Sequence, residues 1–358
     1  MKYHLILTLD YETFGNGSGS LCHCIVQPVE RLLTTLSEFD AGLQSFVDAT
    51  EFAAMRAHAN EEVDGLPFEV QWLDRVESQI AALMTAPHSV HLHIHPQWMD
   101  ARLDDDAWTL NYQHWRIGDL SEPEIDRSVA AGLDYLARLG DQFPEQGTTC
   151  FRAGGWAIQP SKPVLSSLEK HGVRIDSTVA PGTMNLARGD WFNFRKAPAK
   201  PFWHTGGDVL VESAAGFLEV PIATARLGRR QHIRCLRESK KYGGLPSGCV
   251  GTYKGPNNRW QSLAGKLSKL ANLGTVMLDY STMPAWALIE ITRDHIERFS
   301  ETDGAIPIVA IGHNKNFSKW SEDNLREFLE WARLQPDVVF SSYSRWNEEK
   351  TAKRVSDR

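Results

Sequence analysis

The feature that most constrains this chain is a unit that recurs along its whole length. A short, β-rich apolar run ends on a polar residue, and an amphipathic helical stretch follows. Leu5–Leu9 runs into Asp10, and Ser45–Val47 into Asp48. Thr148–Phe151 runs into Arg152, Val173–Ile175 into Asp176, Thr275–Leu278 into Asp279, and Ile306–Ile311 into Gly312-His313. Between them, Pro28 opens a helix with Val29, Leu32, Leu33, Leu36 and Phe39 on one face. Further helices are expected near Phe68–Met84, from the capping box Ser121-x-x-Glu124 to about Leu139, and over Pro160–His171, Pro284–Phe299 and Ser321–Leu334. Val338–Phe340 reads as a last strand. Alternation of this kind marks an α/β fold with a mainly parallel sheet. In a parallel barrel the C-terminal strand ends gather on one face, where catalysis happens. The polar strand ends are therefore expected to converge.

One strand carries the sharpest chemical signal. In HSVHLHIHPQW, His88 to Trp98, the residues His91, His93 and His95 share one face and Leu92 and Ile94 the other. Imidazole is a common ligand of zinc and similar divalent metals and titrates near neutral pH. Pro96 ends the strand, because it cannot donate to a central ladder. His91 and His95 are four apart, about 13 Å along a strand, too far to share an ion unless the chain turns.

Composition removes other classes. A net charge of −7 argues against general nucleic-acid binding. No apolar run reaches the roughly 18 residues of a membrane span, and MKYHLILTLDYE reads as a first strand rather than an export signal. The five cysteines (22, 24, 150, 235, 249) are scattered and suit reduced thiols in a cytoplasm. Cys22-His23-Cys24 has no standard zinc spacing. The glycine-rich loop TFGNGSGS lacks the ending of a phosphate-binding P-loop and reads as an active-site loop. Residues 180–260 form an irregular, β-containing insertion. Within it, Arg226–Lys241 carries seven Lys and Arg against one acid, Glu238, either a solvated face or a seat for a diphosphate. With no internal repeat or linker, residues 1–345 read as one domain and 346–358 as a polar tail.

Asp10-Tyr11-Glu12 places two carboxylates on one side of a strand end. Held close, each raises the pKa of the other unless a cation intervenes. A divalent metal on Glu12, His93 and His95 would relieve that repulsion and keep positions open for water and a carbonyl oxygen. Asp10 would then act as base, Arg152 would orient it, and His313 would protonate a leaving amine. This is metal-assisted hydrolysis of an amide or ester.

LTLDYETFG, LHIHPQW, FRAGGW, DSTVAPG and IGHNKNF stand in the order seen in the polysaccharide deacetylase family, and the chain resembles that family over about Leu5 to Ser341. It looks most like a branch associated with surface-polysaccharide and O-antigen biosynthesis. The resemblance implies an irregular (β/α)7 barrel and metal-dependent removal of N-acetyl groups from sugars. It implies Asp10 as general base, Glu12 and His93 as metal ligands, Arg152 beside the base and His313 as general acid. Zinc is the expected ion. The family pattern places its second metal histidine at Gln97 here, so His95 is expected to substitute. Its Arg-Pro-Pro-Tyr motif is here Arg152-Ala153-Gly154-Gly155-Trp156.

Gln97, Trp98, Trp156, Asp176, Asn314 and Lys315 are the expected substrate contacts. Trp98, Trp156 and Trp191 are candidates for stacking on a sugar ring, and Asn314 and Lys315 for substrate oxygens or phosphate. The implied partner is an acetamido sugar, nucleotide- or lipid-linked, in the cytoplasm. Two other readings keep the fold: hydrolysis of cyclic ureides or imides, and metal-free carbohydrate binding.

Overall fold

The computed structural model describes residues 2–61, 66–104, 107–141, 143, 149–186, 191–252 and 274–356. Residue 148 of the expected fourth strand, acidic residues 105 and 106, and residues 253–260 of the insertion lie outside these. Strand β1 (Lys2–Tyr11) is buried at every position after Lys2 and pairs with three other strands. Around it stand β2 (Gln44–Asp48), β3 (Ser89–Ile94), β4 (Cys150–Ala153), β5 (Ile175–Asp176), β6 (Phe217–Glu219), β7 (Ala305–His313) and β8 (Val338–Ser341). They pair in the order β6-β5-β4-β3-β2-β1-β7, every neighbour parallel. Strand β8 pairs Tyr3–Ile6 of β1, while β2 pairs Thr8–Tyr11 further along. The sheet curls, and irregular backbone closes the gap between β6 and β7. Ile222 bridges Val309, and Asp279 bridges Ile311. This is the irregular α/β barrel expected. Full burial explains the continuous apolar run ILTL in β1, because a parallel sheet is covered on both faces.

Register does the positioning. Asp10 stands opposite His313, Asp48 opposite His93, His93 opposite Arg152, and Asp176 opposite Glu219. The polar strand ends therefore form one layer at the C-terminal mouth.

The helices are α1 (Gln27–Ser37), α2 (Ala49–Asn60), α3 (Val70–Leu83), α4 (Glu122–Leu139), α5 (Lys162–Lys170), α6 (Arg229–Tyr242), α7 (Ala285–Arg298), α8 (Lys319–Arg333) and α9 (Tyr343–Ser356). Three, α2, α6 and α9, escape the sequence pattern. Helix α2 buries Thr50 and Glu51 beside Phe52 and Met55, so its polar and apolar residues do not divide into two faces. Helix α9 corrects the expected polar tail. Tyr343 and Trp346 are wholly buried, and the Trp346 indole donates to the Ala305 carbonyl at 3.1 Å. Burying one indole is worth on the order of 4 kcal/mol, enough to anchor a charged helix.

The insertion is corrected in part as well. Phe217–Glu219 is a barrel strand, and residues 229–242 are helical. The expected reduced cysteines are also corrected. Cys24 and Cys249, separated by 225 positions, are joined in a disulfide, so Cys24 is lost to any Cys22-His23-Cys24 metal site. Cys22, Cys150 and Cys235 are in no disulfide and are buried. Among the described residues no helix is long and apolar enough to cross a membrane.

Candidate active site

Three side chains meet where β1 and β3 end. Glu12, His93 and His95 each offer one ligand atom, and these atoms lie within 4.8 Å of one another. All three are buried. The Nε2 atoms of His93 and His95 face Glu12 Oε2 at 3.5 and 2.8 Å. Neither Nε2 has a well-directed hydrogen bond. On His93 the reason is visible. Its Nδ1 lies 2.8 Å from the Arg152 carbonyl, which can only accept, so Nδ1 carries a proton and Nε2 is the nitrogen left to face Glu12. A proton or a metal ion between Nε2 and the carboxylate oxygen satisfies both groups. Two imidazoles and a carboxylate are a donor set that suits zinc and related divalent ions, so these residues fit the implied metal. Backbone contacts hold the set in place. Asp48 caps α2 through the Glu51 amide at 3.2 Å, and the Thr50 hydroxyl donates to the His95 carbonyl at 3.1 Å.

Asp10 lies beside this group. Arg152, wholly buried, donates from Nη1 to Asp10 Oδ1 at 2.5 Å, from Nε to the Ser177 carbonyl at 2.8 Å and from Nη2 to Thr8 Oγ1 at 3.1 Å. Its guanidinium sits 4.0 Å from the centre of the Phe46 ring. His313 Nε2 is 3.5 Å from Asp10 Oδ2 and 3.9 Å from Glu12 Oε1. The His313 side chain is 13% exposed, against 5% for Asp10, so it borders the opening.

Burial alone would raise both carboxylates, but cations outweigh it. Asp10 is held below the usual carboxylate range by Arg152, His93 and His313. Glu12 is held well below it, chiefly by Lys315 and His95. Burial lowers His93, yet Glu12 and Asp10 bring it above its ordinary value.

The remaining expected contacts divide. Lys315 is buried in the site, its ammonium 2.6 Å from Glu12 Oε1 and 2.6 Å from the Thr13 carbonyl. Asn314 clamps loops, accepting from the Glu12 amide at 3.1 Å and donating to the Glu12 and Cys24 carbonyls at 2.9 and 2.6 Å. Gln97 is wholly buried behind His95, its amide nitrogen 3.3 Å from His95 Nδ1 and 3.2 Å from the Gly15 carbonyl. It braces the histidine and touches neither Glu12 nor open space, because the 3-10 turn Pro96–Trp98 swings it back.

Trp98 is 1% exposed and edge-on to Trp108, so it offers no face to a sugar. Asp176 is wholly buried, turned onto Glu219 and Thr178 rather than the opening. Trp156 is half-buried at the mouth, 6.2 Å from His313 between ring centres. Its φ of 58° is left-handed, a strain of about 1–3 kcal/mol for a bulky residue, and its indole nitrogen has no hydrogen-bond partner. Trp191 lies under Arg116 at 5.2 Å.

His91 has no place in the site. It bonds Gln44 at 3.2 Å deeper in the barrel, and burial and then Arg152 lower its pKa to about 3. Sequence reasoning missed Glu51, which accepts from the Thr13 amide at 3.0 Å, and Glu219. The only available signal was a carboxylate inside an otherwise apolar segment.

No protein-family model and no curated protein sequence matches this chain. Solved structures do match. One assigned as a polysaccharide deacetylase, from Mycobacterium smegmatis, aligns over 99% of this chain and 91% of its own at 15% identity, with a TM-score of 0.50. The fold is that of the polysaccharide deacetylases. A GH57-type branching enzyme from Pyrococcus horikoshii also matches, over 98% of this chain and 71% of its own, at 11% identity and a TM-score of 0.50. Puue allantoinase follows at 12% identity, 98% and 90% coverage and a TM-score of 0.49. The deacetylase-assigned structure and the branching enzyme already differ in activity, so chemistry has to be read from the site.

Proposed function

We propose that this protein is a metal-assisted amide hydrolase that removes an N-acetyl group from a sugar. The observation that carries the reading is the pair of unpartnered imidazole nitrogens facing one carboxylate oxygen, next to a separate aspartate held by a buried arginine. Glu12, His93 and His95 would hold one divalent ion, zinc by preference, which when bound polarises the carbonyl and makes water more acidic. Asp10 takes the proton of the attacking water. Arg152 keeps Asp10 ionised and fixes its orientation. His313, nearest the opening, gives a proton to the departing nitrogen as the C–N bond breaks, leaving acetate and a free amine. Trp156, half-buried at the mouth beside His313, offers a ring edge to the sugar.

The surface-polysaccharide or O-antigen context, with a nucleotide- or lipid-linked substrate, rests on the ordered motifs alone. Metal analysis tests the site. Protein purified without chelator should carry near one equivalent of metal, and His93→Ala should carry none. Absence of metal from both after soaking with zinc overturns the reading.

A second reading, metal-free carbohydrate binding, has one observation in its favour: the Lys315 ammonium already meets Glu12. Glycan binding without metal and without acetate release would establish it. The cytoplasmic location turns on Cys24 and Cys249, since a lasting disulfide belongs to an oxidising compartment. Alkylation of freshly isolated, denatured protein followed by intact-mass measurement decides it. Five modified thiols support the cytoplasm, and three argue against it.

A further inference from the structure

The chain is acidic overall, at −7, yet one short segment reverses the sign. Arg226–Lys241 carries seven cations and one acid, and in the structure most of it forms α6. Cys235 is the one residue of that helix buried outright, with His232, Glu238 and Ser239 half-buried on the same side. Contacts fix that inner side. Ser239 donates to the Thr282 carbonyl at 2.7 Å, and Glu238 accepts from the Trp286 indole at 2.8 Å. Glu238 also holds Arg234 at 2.7 Å, so the lone acid of the segment is turned inward.

The outer side is left to Arg229, Arg230, Arg237 and Lys240, all exposed. Ile233 sits among them at 41% exposure, and Leu236 on the flank at 57%. A soluble face has no use for two open aliphatic side chains inside a ring of cations. A bilayer surface does. Cations meet anionic headgroups while short apolar side chains enter the boundary of the acyl chains.

We propose that this face of α6 docks on the surface of an anionic phospholipid bilayer. The location gives the docking a purpose. The segment after α6 returns to the rim of the candidate active site, where Cys249 is bonded to Cys24 and the Thr252 amide donates to Ser18 of the glycine-rich loop at 3.0 Å. A protein held by α6 would carry the mouth of its barrel close to the membrane surface. The inference stands on charge and exposure, independently of the chemistry proposed above.

Flotation of the full chain with vesicles tests it, using phosphatidylcholine alone and phosphatidylcholine mixed with phosphatidylglycerol. The protein should float with the mixed vesicles and stay behind with the neutral ones, and added salt should release it. Replacing Arg229, Arg230 and Arg237 together by Gln should lower partitioning about 100-fold, from about fivefold per cation. Replacing Ile233 and Leu236 by Ser should lower it about tenfold. All five side chains are exposed, so circular dichroism of the variants should match the wild type. Failure to float with anionic vesicles overturns the proposal. So does an Ile233/Leu236 variant that floats as well as wild type, because the face would then recognise soluble polyanions by charge alone, as retention on heparin would show.

Discussion

Two of the buried carboxylate pairs in this barrel meet opposite fates. Asp10 and Glu12 lie at the end of β1, and Asp176 and Glu219 face each other across β5 and β6. Burial pushes all four pKa values upward. For the first pair Arg152, Lys315 and the histidines overcome it, and both acids fall below their ordinary range. For the second pair burial wins and both rise: Asp176 lifts Glu219 further, well above normal, while the hydrogen bond with Glu219 lowers Asp176 without offsetting its burial. The first pair is thus charged and faces the mouth. The second is shifted toward its protonated forms and stays closed. Burial does not make a carboxylate a working group; the cations placed around it do.

Asp10→Asn probes the contrast most strongly. It should lower kcat/KM for deacetylation about 1,000-fold while the circular dichroism spectrum is kept. Unchanged turnover would remove Asp10 as base and bring the two pairs to the same rank. Next comes Arg152→Met, which leaves Asp10 buried without its partner. It should cost about 3–5 kcal/mol in denaturant-unfolding stability. A loss under about 1 kcal/mol would mean that Arg152 does not offset the burial of Asp10.

Smallest is Glu219→Gln, which keeps volume and hydrogen bonding. The raised pKa of Glu219 means its protonated form is favoured on folding. That contribution is complete below the unfolded value and is lost as pH rises toward the folded one. As pH rises from about 5 to about 8 the wild type should therefore lose stability that the variant keeps, read as diverging melting temperatures. Asp10, with its lowered pKa, runs the other way. Its contribution is present above the unfolded value and is lost as pH falls. If both acids gave the same sign in metal-free protein, the division between the pairs would fail.

Much of this site is legible in one dimension. The alternation in His91, Leu92, His93, Ile94, His95 is local, and it puts the imidazoles on one face whatever surrounds them. Asp10 and Glu12 share a side for the same reason. Spacing misjudged Gln97, because a turn begun at Pro96 breaks the strand period before residue 97 is reached. It misjudged Trp98 and Asp176 too, since a polar or aromatic residue at a strand end looks the same whether it faces the mouth or the core. Helix α2 went unseen because it is surrounded by protein at its start and shows no two-sided pattern.

What the sequence determined by itself was periodicity: the parallel strands, their polar ends, and the set Asp10, Glu12, His93, His95, Arg152 and His313. Only the tertiary structure decided which of these groups meet. Arg152 reaches Asp10 across 142 positions, Lys315 reaches Glu12 across 303, and Cys24 reaches Cys249 across 225. The physical reason is range. Strand and helix periods arise from backbone geometry over a few residues, whereas the charge on a buried acid depends on the nearest cation in space, and the chain supplies that cation from far away.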